Sequence, residues 1–527
     1  MLGVVPASTA DLQLPDDVRS GGGRRWPAPL AGVVASAAGL GAAELVGGLV
    51  DRAPSLVTAV GDTVVDHVPL WLERAAISLF GTHDKQVLLA GVLLVALALG
   101  AGLGVLAQRR PALGAAGFAV AGALAAWAAL GDPRRSAPWT LAVAVLAVVV
   151  GVAVLRALLG RAALLAVPAS TAGQELARRS FLVAAGGTAA LAVLAGVGGW
   201  LLSGRDRVEQ LREAIRLPRP AQPAAAPGTG LDVPGLSPLY TPNDSFYRID
   251  TALRVPGVDT ADWSLRVTGM VDRPFSLSYA DLMAMPQVEA DVTLSCVSNE
   301  VGGDLVGTAR WQGVRLRTLL DRAGVQAGAE QVLGRSVDGF TAGFPVQVAL
   351  DVENALVAVG MNGQPLPIDH GFPARLVVPG LYGYVSATKW LTEIELTTWG
   401  VQGYWVPRGW SREGPVKTQS RIDVPRAGSS VPAGRQAVAG VAWAPTRGVQ
   451  RVQVQVDDGP WTDARLAPSI GDDCWRQWSL AWDATPGEHR ITVRATDGTG
   501  EVQTDRRTQV APDGASGYPV VEVTVDG

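Results

Sequence analysis

The sequence of 527 residues predicts a multi-domain protein: an N-terminal α-helical membrane domain, a soluble α+β domain and a C-terminal β-sandwich. Three observations lead to this prediction. Long runs of Ala, Val, Leu and Gly fill the chain before about residue 205. Short strands, turns and a few helices alternate from residue 231 to about 415. From about residue 420, strand-like stretches follow one another with turn signals every 10–12 residues.

The composition averages over these unlike parts. Hydrophobic residues make up 48% of the chain and charged residues 17%, and the formal net charge is −4. Such a weakly acidic chain gives no reason to expect a nucleic-acid partner. The predicted organisation is a membrane domain over 1–204, a linker over 205–230, an α+β domain over 231–418 and a sandwich over 419–527.

About five membrane-spanning helices are predicted in the N-terminal domain. The stretch 29–50 is the weakest, because it contains Glu44 and much glycine. Residues 55–80 mix apolar residues with several charges, which is typical of an interfacial amphipathic segment. Four other runs carry no charge and are each long enough to cross the hydrocarbon core: 87–107, 112–130, 138–155 and 181–202.

The arginines near these runs predict an orientation. Arg24 and Arg25 precede the first predicted span, and further arginines lie between the second and third and between the fourth and fifth. An inside N-terminus makes all of these cytoplasmic and places the C-terminal half outside the cytoplasm. Arg134 and Arg135 then fall on the outer side, against the rule. Four spans instead of five would reverse the orientation.

The last predicted span has a distinctive basic flank. Residues 178–183 are Arg-Arg-Ser-Phe-Leu-Val, which resembles a twin-arginine export signal. An ordinary basic flank of a membrane helix is the alternative. Beyond the span, the linker combines a charged stretch of helical spacing with the sequence AQPAAAPGTG, a composition typical of a tether.

Short strands and helices are predicted in the α+β domain. Residues 263–267 and 290–294 alternate as strands, and 316–323 predict a short helix. A second helix is predicted over 279–285, capped by Ser278. No glycine-rich dinucleotide loop or P-loop follows a strand in this sequence. After residue 420, five strand-like stretches predict an immunoglobulin-like sandwich: VAGVAWA, VQRVQVQVD, WSLAWD, HRITVRATD and VEVTV.

Cys296 ends a predicted strand and is followed by a glycine-rich loop. A thiol in that position lies at the rim of a sheet and can point at a bound ligand. A buried structural cysteine is the alternative, since free Cys often behaves as a small hydrophobic residue. The other cysteine, Cys474, lies in the C-terminal domain and is interpreted as structural. Separate roles are favoured over a disulfide between them.

A second polar stretch, PIDHGFPARLVVPGLYGYVSATKW, occupies residues 367–390. His370, Arg375 and Lys389 here surround a backbone rich in glycine. Arginine is a bidentate phosphate ligand, lysine is a point charge, and loop N–H groups complete an anion site. For each charge alone, a solvated surface position is the alternative, and a hydrogen-bonded structural role is the alternative for the histidine.

Together these stretches resemble a known family. TPNDSFY at 241–247, the Cys296 strand, MNGQPLPIDHGFPARLVVPG at 361–380 and the pair at 389–390 resemble the molybdopterin-binding domain of the sulfite oxidase family. Residues 420–527 resemble the C-terminal dimerisation domain of that family. The resemblance implies a molybdenum-molybdopterin oxidoreductase with the sulfite oxidase fold, and a homodimer formed through the C-terminal domain.

The resemblance also implies roles for individual residues. Cys296 is the expected thiolate ligand of molybdenum, and Arg375 and Lys389 are expected at the phosphate end of the pterin. Arg248 and Trp410 are the other expected catalytic residues. The remaining expected cofactor contacts come from four segments: Asn243, Tyr247, Arg248, Asp338, His370, Ala387 and Thr388.

This sequence departs from the sulfite oxidases where they bind an oxyanion. Their cysteine is soon followed by arginines, whereas here Glu300 and Val301 follow Cys296. Trp410 aligns near the family's pocket tyrosine. The arginine expected after the first aromatic pair is either displaced to Arg248 or replaced by Ile249. A dianion that loses its arginines binds poorly, so we expect sulfite to be a poor substrate.

The expected protein is therefore a multi-pass cell-membrane enzyme with its catalytic domain outside the cytoplasm. It transfers an oxygen atom to or from an unidentified substrate, such as a sulfoxide or another oxide. Genuine sulfite oxidation or dehydrogenation is the first alternative. A membrane scaffold or transporter with a ligand-binding outer domain is the second, which the sparse intramembrane charge disfavours. The predicted spans contain no histidine to bind a haem, so a separate redox partner is expected.

Overall fold

The computed structural model of the chain describes residues 26–50, 52–69, 72, 76, 79–80, 83–131, 136–167, 170–202, 205–226 and 228–527. The chain divides into two compact units, Met1–Gly204 and Arg205–Gly527. The described part of the first unit is helical, whereas the second is built mainly from β-sheets. Helices and strands thus segregate along the chain as the composition predicts.

The helices described in the first unit are α1 (Pro27–Leu49), α2 (Leu56–His67), α3 (Asp84–Arg109), α4 (Pro111–Leu130), α5 (Ala137–Ala163) and α6 (Thr171–Leu201). All except α2 are long and apolar enough to cross a membrane, by length and composition. The five predicted spans thus correspond to five long apolar helices. The arginines at 24, 25, 134 and 135 lie outside the described residues, and the predicted interfacial segment beyond α2 is described only in part.

The high glycine content of α1 is explained by close packing against its neighbours. A Cβ atom on Gly32 would clash with the carbonyl oxygen of Gly100 in α3. A Cβ atom on Gly48 would clash with the carbonyl oxygen of Gly199 in α6. Small residues let apolar helices approach until their backbones touch. The glycines that allow this packing also lower the mean hydropathy of α1 below that of the other four long helices.

Glu44, the charge within the predicted span 29–50, has partners at the start of α2. Its Oε1 atom accepts a hydrogen bond from the Ser55 hydroxyl at 2.8 Å and lies 3.4 Å from the backbone nitrogen of Val57. The first N–H groups of a helix have no partner within that helix, so a carboxylate there is favourable. The carboxylate of Glu44 therefore has a structural role at a helix end.

The second unit begins with α7 (Arg205–Ala214) and continues as an α+β region. Its strands are β1 (Ser264–Gly269), β2 (Phe275–Ser278), β3 (Val288–Ser295), β4 (Val306–Arg315), β5 (Gln331–Ser336), β6 (Thr341–Pro345), β7 (Leu356–Met361), β8 (Gln364–Pro365), β9 (Arg375–Val377) and β10 (Leu391–Thr397). Its helices are α8 (Tyr279–Ala284), α9 (Leu316–Ala323), α10 (Val346–Asp351) and α11 (Gly383–Ser386).

The two predicted helices of this region are present and form for local reasons. Ser278 and Asp281 build a capping box at the start of α8, each side chain accepting from the other's backbone N–H. In α9, Leu316, Leu319 and Leu320 are fully buried, at the spacing that places side chains on one helix face. Both helices pack on the same core as β1 and β10.

Two sheets position the residues of interest. One has the order β3-β4-β7-β8, with β9 also paired to β7, and the other has the order β2-β1-β10-β5-β6. The second sheet is mixed, because β1 pairs in parallel with β10 while its other pairs are antiparallel. In the first sheet the β3–β4 pairing ends with Ser295 opposite Val306. Cys296 is therefore the first residue beyond the paired end of β3.

The C-terminal region is β-rich, as predicted. Its strands are β11 (Gln419–Val424), β12 (Ser430–Pro432), β13 (Gly434–Trp443), β14 (Val449–Val456), β15 (Thr462–Asp463), β16 (Arg465–Leu466), β17 (Arg476–Ala484), β18 (Gly487–Asp497) and β19 (Val520–Asp526). They form two sheets with the orders β11-β13-β17-β16 and β12-β19-β18-β14-β15. Val438 and Trp478 of the first sheet and Val454 and Val493 of the second share one buried core.

The segment predicted as a linker packs along the second unit. Its charged stretch forms α7, from which Val208 is buried in the same core as β3 and β4. Gln222 forms a parallel bridge with Val288 at the start of β3. The Nε2 atom of Gln312 donates to the carbonyl oxygen of Pro218 at 2.8 Å. Proline retains this acceptor although it lacks an N–H group, so a proline-rich stretch can still be held in place.

Candidate active site

Cys296 leads from β3 into a loop that folds back on the strand end. Its backbone N–H donates to the carbonyl oxygen of Leu305 at 2.9 Å, and the N–H of Leu305 donates to the side chain of Asn299 at 2.9 Å. The Cys296 sulfur accepts from the N–H of Ser298 at 3.4 Å. Burial raises the pKa of this thiol above its usual range. A neighbouring metal ion would reverse that preference and hold the thiolate.

Two buried cations face the same cleft as Cys296. The guanidinium of Arg375 donates to the carbonyl oxygen of His370 at 3.1 Å and lies 5.0 Å above the ring of Trp311. The ammonium of Lys389 donates to the carbonyl oxygen of Asp369 at 3.0 Å. Desolvation by burial lowers the pKa of Arg375 to about 10 and that of Lys389 to about 8. Cations held out of water in this way favour an anionic ligand.

His370 is held in one tautomer by the segment that contains Asn243. Its Nε2 atom lies 2.9 Å from the backbone carbonyl oxygen of Asn243, which can only accept, so Nε2 carries the proton. Burial lowers the pKa of His370 to about 4, which keeps the ring neutral. The Nδ1 atom is therefore an acceptor, and it is buried without a hydrogen-bond partner among the described residues. The buried hydroxyl of Thr388 likewise lacks one.

The cleft between these side chains has about 710 Å³ of empty space, including its open mouth. Its walls come from the chain around residue 247, the strand end at Cys296, the β5–β6 turn and the stretch 383–390. Of the predicted site residues, six line it: Tyr247, Cys296, Asp338, Arg375, Ala387 and Lys389. The fold thus brings together residues that are up to 142 positions apart, the difference between 247 and 389.

Arg248 lies beside the cleft but is not among the lining residues. Its Nε atom lies 3.1 Å from Oδ2 of Asp250, and one terminal nitrogen lies 3.4 Å from Oδ1 of Asp369. Oδ2 of Asp250 also accepts from the Lys389 ammonium at 3.0 Å. Asp250 lines the cleft and was not predicted as a site residue. The only signal in the sequence was its position two residues after Arg248.

The aromatic wall differs from the prediction. Trp405 and Tyr384 line the cleft, whereas Trp410 does not. Trp410 contacts both of them, with its ring centroid 6.3 Å from that of Trp405 and 5.9 Å from that of Tyr384. The reason is a turn in which the N–H of Trp410 donates to the carbonyl oxygen of Trp405 at 3.3 Å. The motif YWVPRGW contains both tryptophans, so the sequence alone could not say which one faces the cleft.

Glu300 does not fill the position that its place after Cys296 suggested. Its side chain is exposed, and it is not among the residues that line the cleft. The loop after Cys296 folds back to pair with Leu305, which carries Glu300 away from the cleft. Glu300 is therefore not placed to repel an anionic substrate in the cleft. The charges that do reach the cleft are Asp250, Asp338, Arg375 and Lys389.

These groups fit an anionic cofactor that carries a soft metal. Arg375 and Lys389 line the cleft and can neutralise a phosphate. His370 and Thr388 are not among the lining residues, but each has a buried polar atom without a hydrogen-bond partner among the described residues. The Cys296 sulfur lines the same cleft and could supply one soft ligand to a metal brought by such a cofactor. Neutral side chains with fixed tautomers and buried cations together make a preorganised binding site.

The comparisons with known proteins agree with this chemistry. Residues 252–405 match the family described as the oxidoreductase molybdopterin binding domain. Sulfite oxidase of Gallus gallus is 32% identical over 325 residues, which cover 52% of this chain and 69% of that protein. Mitochondrial sulfite oxidase of Homo sapiens is 32% identical, with 50% of this chain and 57% of that protein covered.

Two further matches are to other proteins. An uncharacterized oxidoreductase of Bacillus subtilis, YuiH, is 38% identical over 30% of this chain and 76% of that protein. The crystal structure of the sulfane dehydrogenase SoxCD from Paracoccus pantotrophus aligns with 54% of this chain and 80% of that chain, at 23% identity and a TM-score of 0.48. The cofactor implied by the matched domain is molybdenum-molybdopterin. The chain belongs to the sulfite oxidase family of molybdopterin-dependent oxidoreductases.

Proposed function

We propose that the protein catalyses two-electron oxygen-atom transfer on an uncharged oxide, with a sulfoxide as the candidate substrate. The observation that carries this proposal is the pairing of Arg248 with Asp250 and Asp369. A small dianion needs cationic partners to leave water, because desolvating it without them costs several kcal/mol. Here Arg248, whose partner Asp250 lines the cleft, is already paired with two carboxylates.

The proposed wall of the substrate pocket is aromatic. Phe340, Tyr384 and Trp405 line the cleft, with Trp410 in contact with the last two. Aromatic faces make favourable contacts with sulfur-containing groups and with methyl groups. Such a wall suits an organic sulfur oxide better than a hydrated oxyanion. We keep Arg248 as a candidate catalytic residue, and propose that Trp410 supports Trp405.

The proposed cofactor contacts follow the same geometry. Cys296 is the protein ligand of molybdenum, and Arg375 and Lys389 bind the phosphate end of the pterin. When bound, the cofactor supplies the metal centre at which the oxygen atom is gained or lost. The remaining proposed contacts bond or enclose the pterin: Asn243, Tyr247, Asp338, His370, Ala387 and Thr388. The role of this chain is to orient the cofactor, exclude water and hold the thiol and the neutral imidazole in place.

Sulfite oxidation is the second candidate function. It is favoured by the names of the relatives, since proteins called sulfite oxidase are 32% identical to this chain over more than 300 residues. Rotation of Arg248 away from its carboxylates would give the cleft the cation that sulfite needs. The two candidate functions therefore differ in whether the Arg248 side chain stays in its ion pairs with Asp250 and Asp369.

Steady-state kinetics on the full-length protein in detergent separate the two candidates. Sulfite is offered with an artificial electron acceptor, and a methyl sulfoxide is offered with an artificial donor. The proposal predicts sulfoxide reduction and weak sulfite oxidation. A kcat/KM for sulfite above about 10⁵ M⁻¹s⁻¹, within the ordinary range for enzymes, would contradict it and favour the second candidate.

We further propose that the long apolar helices anchor the enzyme in the cell membrane, with the second unit outside the cytoplasm. The arginine distribution and the Arg178-Arg179 motif support that orientation. A scaffold or transporter is the alternative of another class, and membership of an oxidoreductase family speaks against it. Digestion of a C-terminal tag by protease added to spheroplasts tests the orientation, and a protected tag would reverse it.

A separate redox partner and a homodimer complete the proposal. The sequence of the five apolar helices contains no histidine, so electrons are expected to pass to or from another protein. The two C-terminal sheets are proposed to form an immunoglobulin-like sandwich that dimerises, as the resemblance implies. Sedimentation of the full-length protein in detergent measures the state of association, and a monomer would contradict the dimer.

A further inference from the structure

Asp250 places a buried carboxylate between two cations of the cleft. Its side chain is 6% exposed, and its Oδ2 atom lies 3.0 Å from the Lys389 ammonium and 3.1 Å from Nε of Arg248. Arg248 belongs to the segment before β1, whereas Lys389 lies just before β10. A single carboxylate oxygen therefore holds together two parts of the chain that are distant in sequence.

The surroundings of Lys389 show why such a partner is needed. Its ammonium is buried, and burial is the largest influence lowering its pKa, which Arg375 and Arg248 lower further. Asp250 is the carboxylate that opposes them. The other polar neighbours are the carbonyl oxygen of Asp369, at 3.0 Å, and the nearby Cys296 and His370. A buried ammonium without a carboxylate partner would be poorly compensated.

We propose that Asp250 is a positioning residue for cofactor binding, which holds the Lys389 ammonium in place for the anionic end of the molybdopterin. This inference rests on the proposed role of Lys389. Arg248, Lys389 and Arg375 are opposed by Asp250 and Asp369, and Asp338 also lines the cleft, so the three positive and three negative charges balance. The contribution of Asp250 is therefore to fix the position of the Lys389 ammonium, and it adds no attraction for an anion.

A double-mutant cycle tests this proposal on the full-length protein in detergent. Apoprotein from a host that cannot make the cofactor is incubated with molybdopterin released from a donor molybdoenzyme, and bound molybdenum and pterin are measured. Asp250→Asn should weaken uptake about tenfold, the scale for losing a charge-assisted contact. In a Lys389→Met background the same change should cause no further loss, because Asp250 acts through Lys389.

Asp321→Asn is the matched control. It removes the same negative charge from an exposed carboxylate on α9, which is far in sequence from every predicted site residue. Equal losses from Asp250→Asn in both backgrounds, or no loss in either, would overturn the inference. Normal uptake by Lys389→Met would instead overturn the proposed role of Lys389. If thermal melting shows that Asp250→Asn does not fold, Asp250→Glu decides: uptake within threefold of wild type supports the proposal, and a tenfold loss with unchanged melting contradicts it.

Discussion

The imidazole Nε2 of His370 donates a hydrogen bond to the backbone carbonyl oxygen of Asn243 across 2.9 Å, joining segments 127 residues apart. The bond assigns the proton to one ring nitrogen and leaves the buried Nδ1 as an acceptor facing no described partner. Since burial lowers the pKa of His370 to about 4, the ring stays neutral at physiological pH. A neutral ring beside the buried cations Arg375 and Lys389 adds no further positive charge.

His370 should make the folded state sensitive to acid. Its pKa is about 4 when folded and near 6.5 when unfolded, so the unfolded chain binds the extra proton between these values. Stability should therefore fall as the pH drops from about 6.5 to about 4, by at most about 1.4 kcal/mol per pH unit from this group. Thermal melting against pH should show a shallower acid slope for His370→Gln than for wild type.

His489→Gln is the control for that slope. The Asp457 carboxylate raises the pKa of His489, so its contribution is present at low pH and is lost as the pH rises through its folded pKa. Its removal should change the pH dependence in the opposite sense. The interpretation of His370 fails if His370→Gln and wild type lose stability in parallel between pH 6.5 and 4.

The local features of this chain could be predicted from sequence because they depend on neighbouring residues. The end of β3 at Cys296, the cap of α8 at Ser278 and the buried leucines of α9 are set by periodicity and capping within a few residues. The long apolar helices follow from composition alone. An anion site around Arg375 and Lys389 stays a prediction from the sequence; what the structure adds is that both side chains line one cleft.

The pairings between distant segments could not be predicted. Arg248 is bound by Asp369, 121 residues away by subtraction of their numbers, and nothing in either neighbourhood signals this pair. The direction of the loop after Cys296 is equally non-local, because it depends on the contact with Leu305. That is why the sequence assigned Glu300 to the pocket although the fold exposes it. Likewise, the sequence alone cannot decide whether Trp405 or Trp410 lines the cleft.

Arg375→Met and Lys389→Met should each lower cofactor content. Each loses a charge-assisted contact to the anionic end of the cofactor, a loss of about 1.5–3 kcal/mol in binding free energy, or roughly 10- to 150-fold. Molybdenum and pterin per chain, measured after purification, give the result. Arg317→Met removes an exposed arginine and should leave the content unchanged. Wild-type content in both cleft variants would contradict the anion site.

Trp405→Ala should raise KM for a methyl sulfoxide, since the indole lines the cleft. A loss of about 1–2 kcal/mol, roughly five- to thirtyfold, is expected for one aromatic contact. Trp410→Ala should have a smaller effect, because Trp410 acts only through its neighbours. Trp461→Ala in the C-terminal region is the control. A larger effect from Trp410 than from Trp405 would reverse the proposed arrangement of the wall.

Glu300→Arg should leave the kcat/KM for sulfite within about twofold of wild type. Its side chain is exposed and outside the cleft lining, so the added charge is screened by solvent. Asp250→Asn, which releases Arg248 from one carboxylate, is the comparison variant for sulfite turnover. Its turnover is divided by its molybdenum content, because this change is also expected to lower cofactor uptake. A large gain in sulfite turnover from Glu300→Arg would show that the loop after Cys296 reaches the substrate.

The account depends most on Cys296 being the protein's ligand to molybdenum, and X-ray absorption at the molybdenum edge measures this directly. Full-length wild-type protein is compared with Cys296→Ser and with Cys474→Ser, in which the other buried cysteine is changed. We predict that Cys296→Ser loses one sulfur neighbour of molybdenum and gains an oxygen, while Cys474→Ser matches wild type. An unchanged sulfur shell in Cys296→Ser, or a sulfur lost on changing Cys474, would contradict the proposed site.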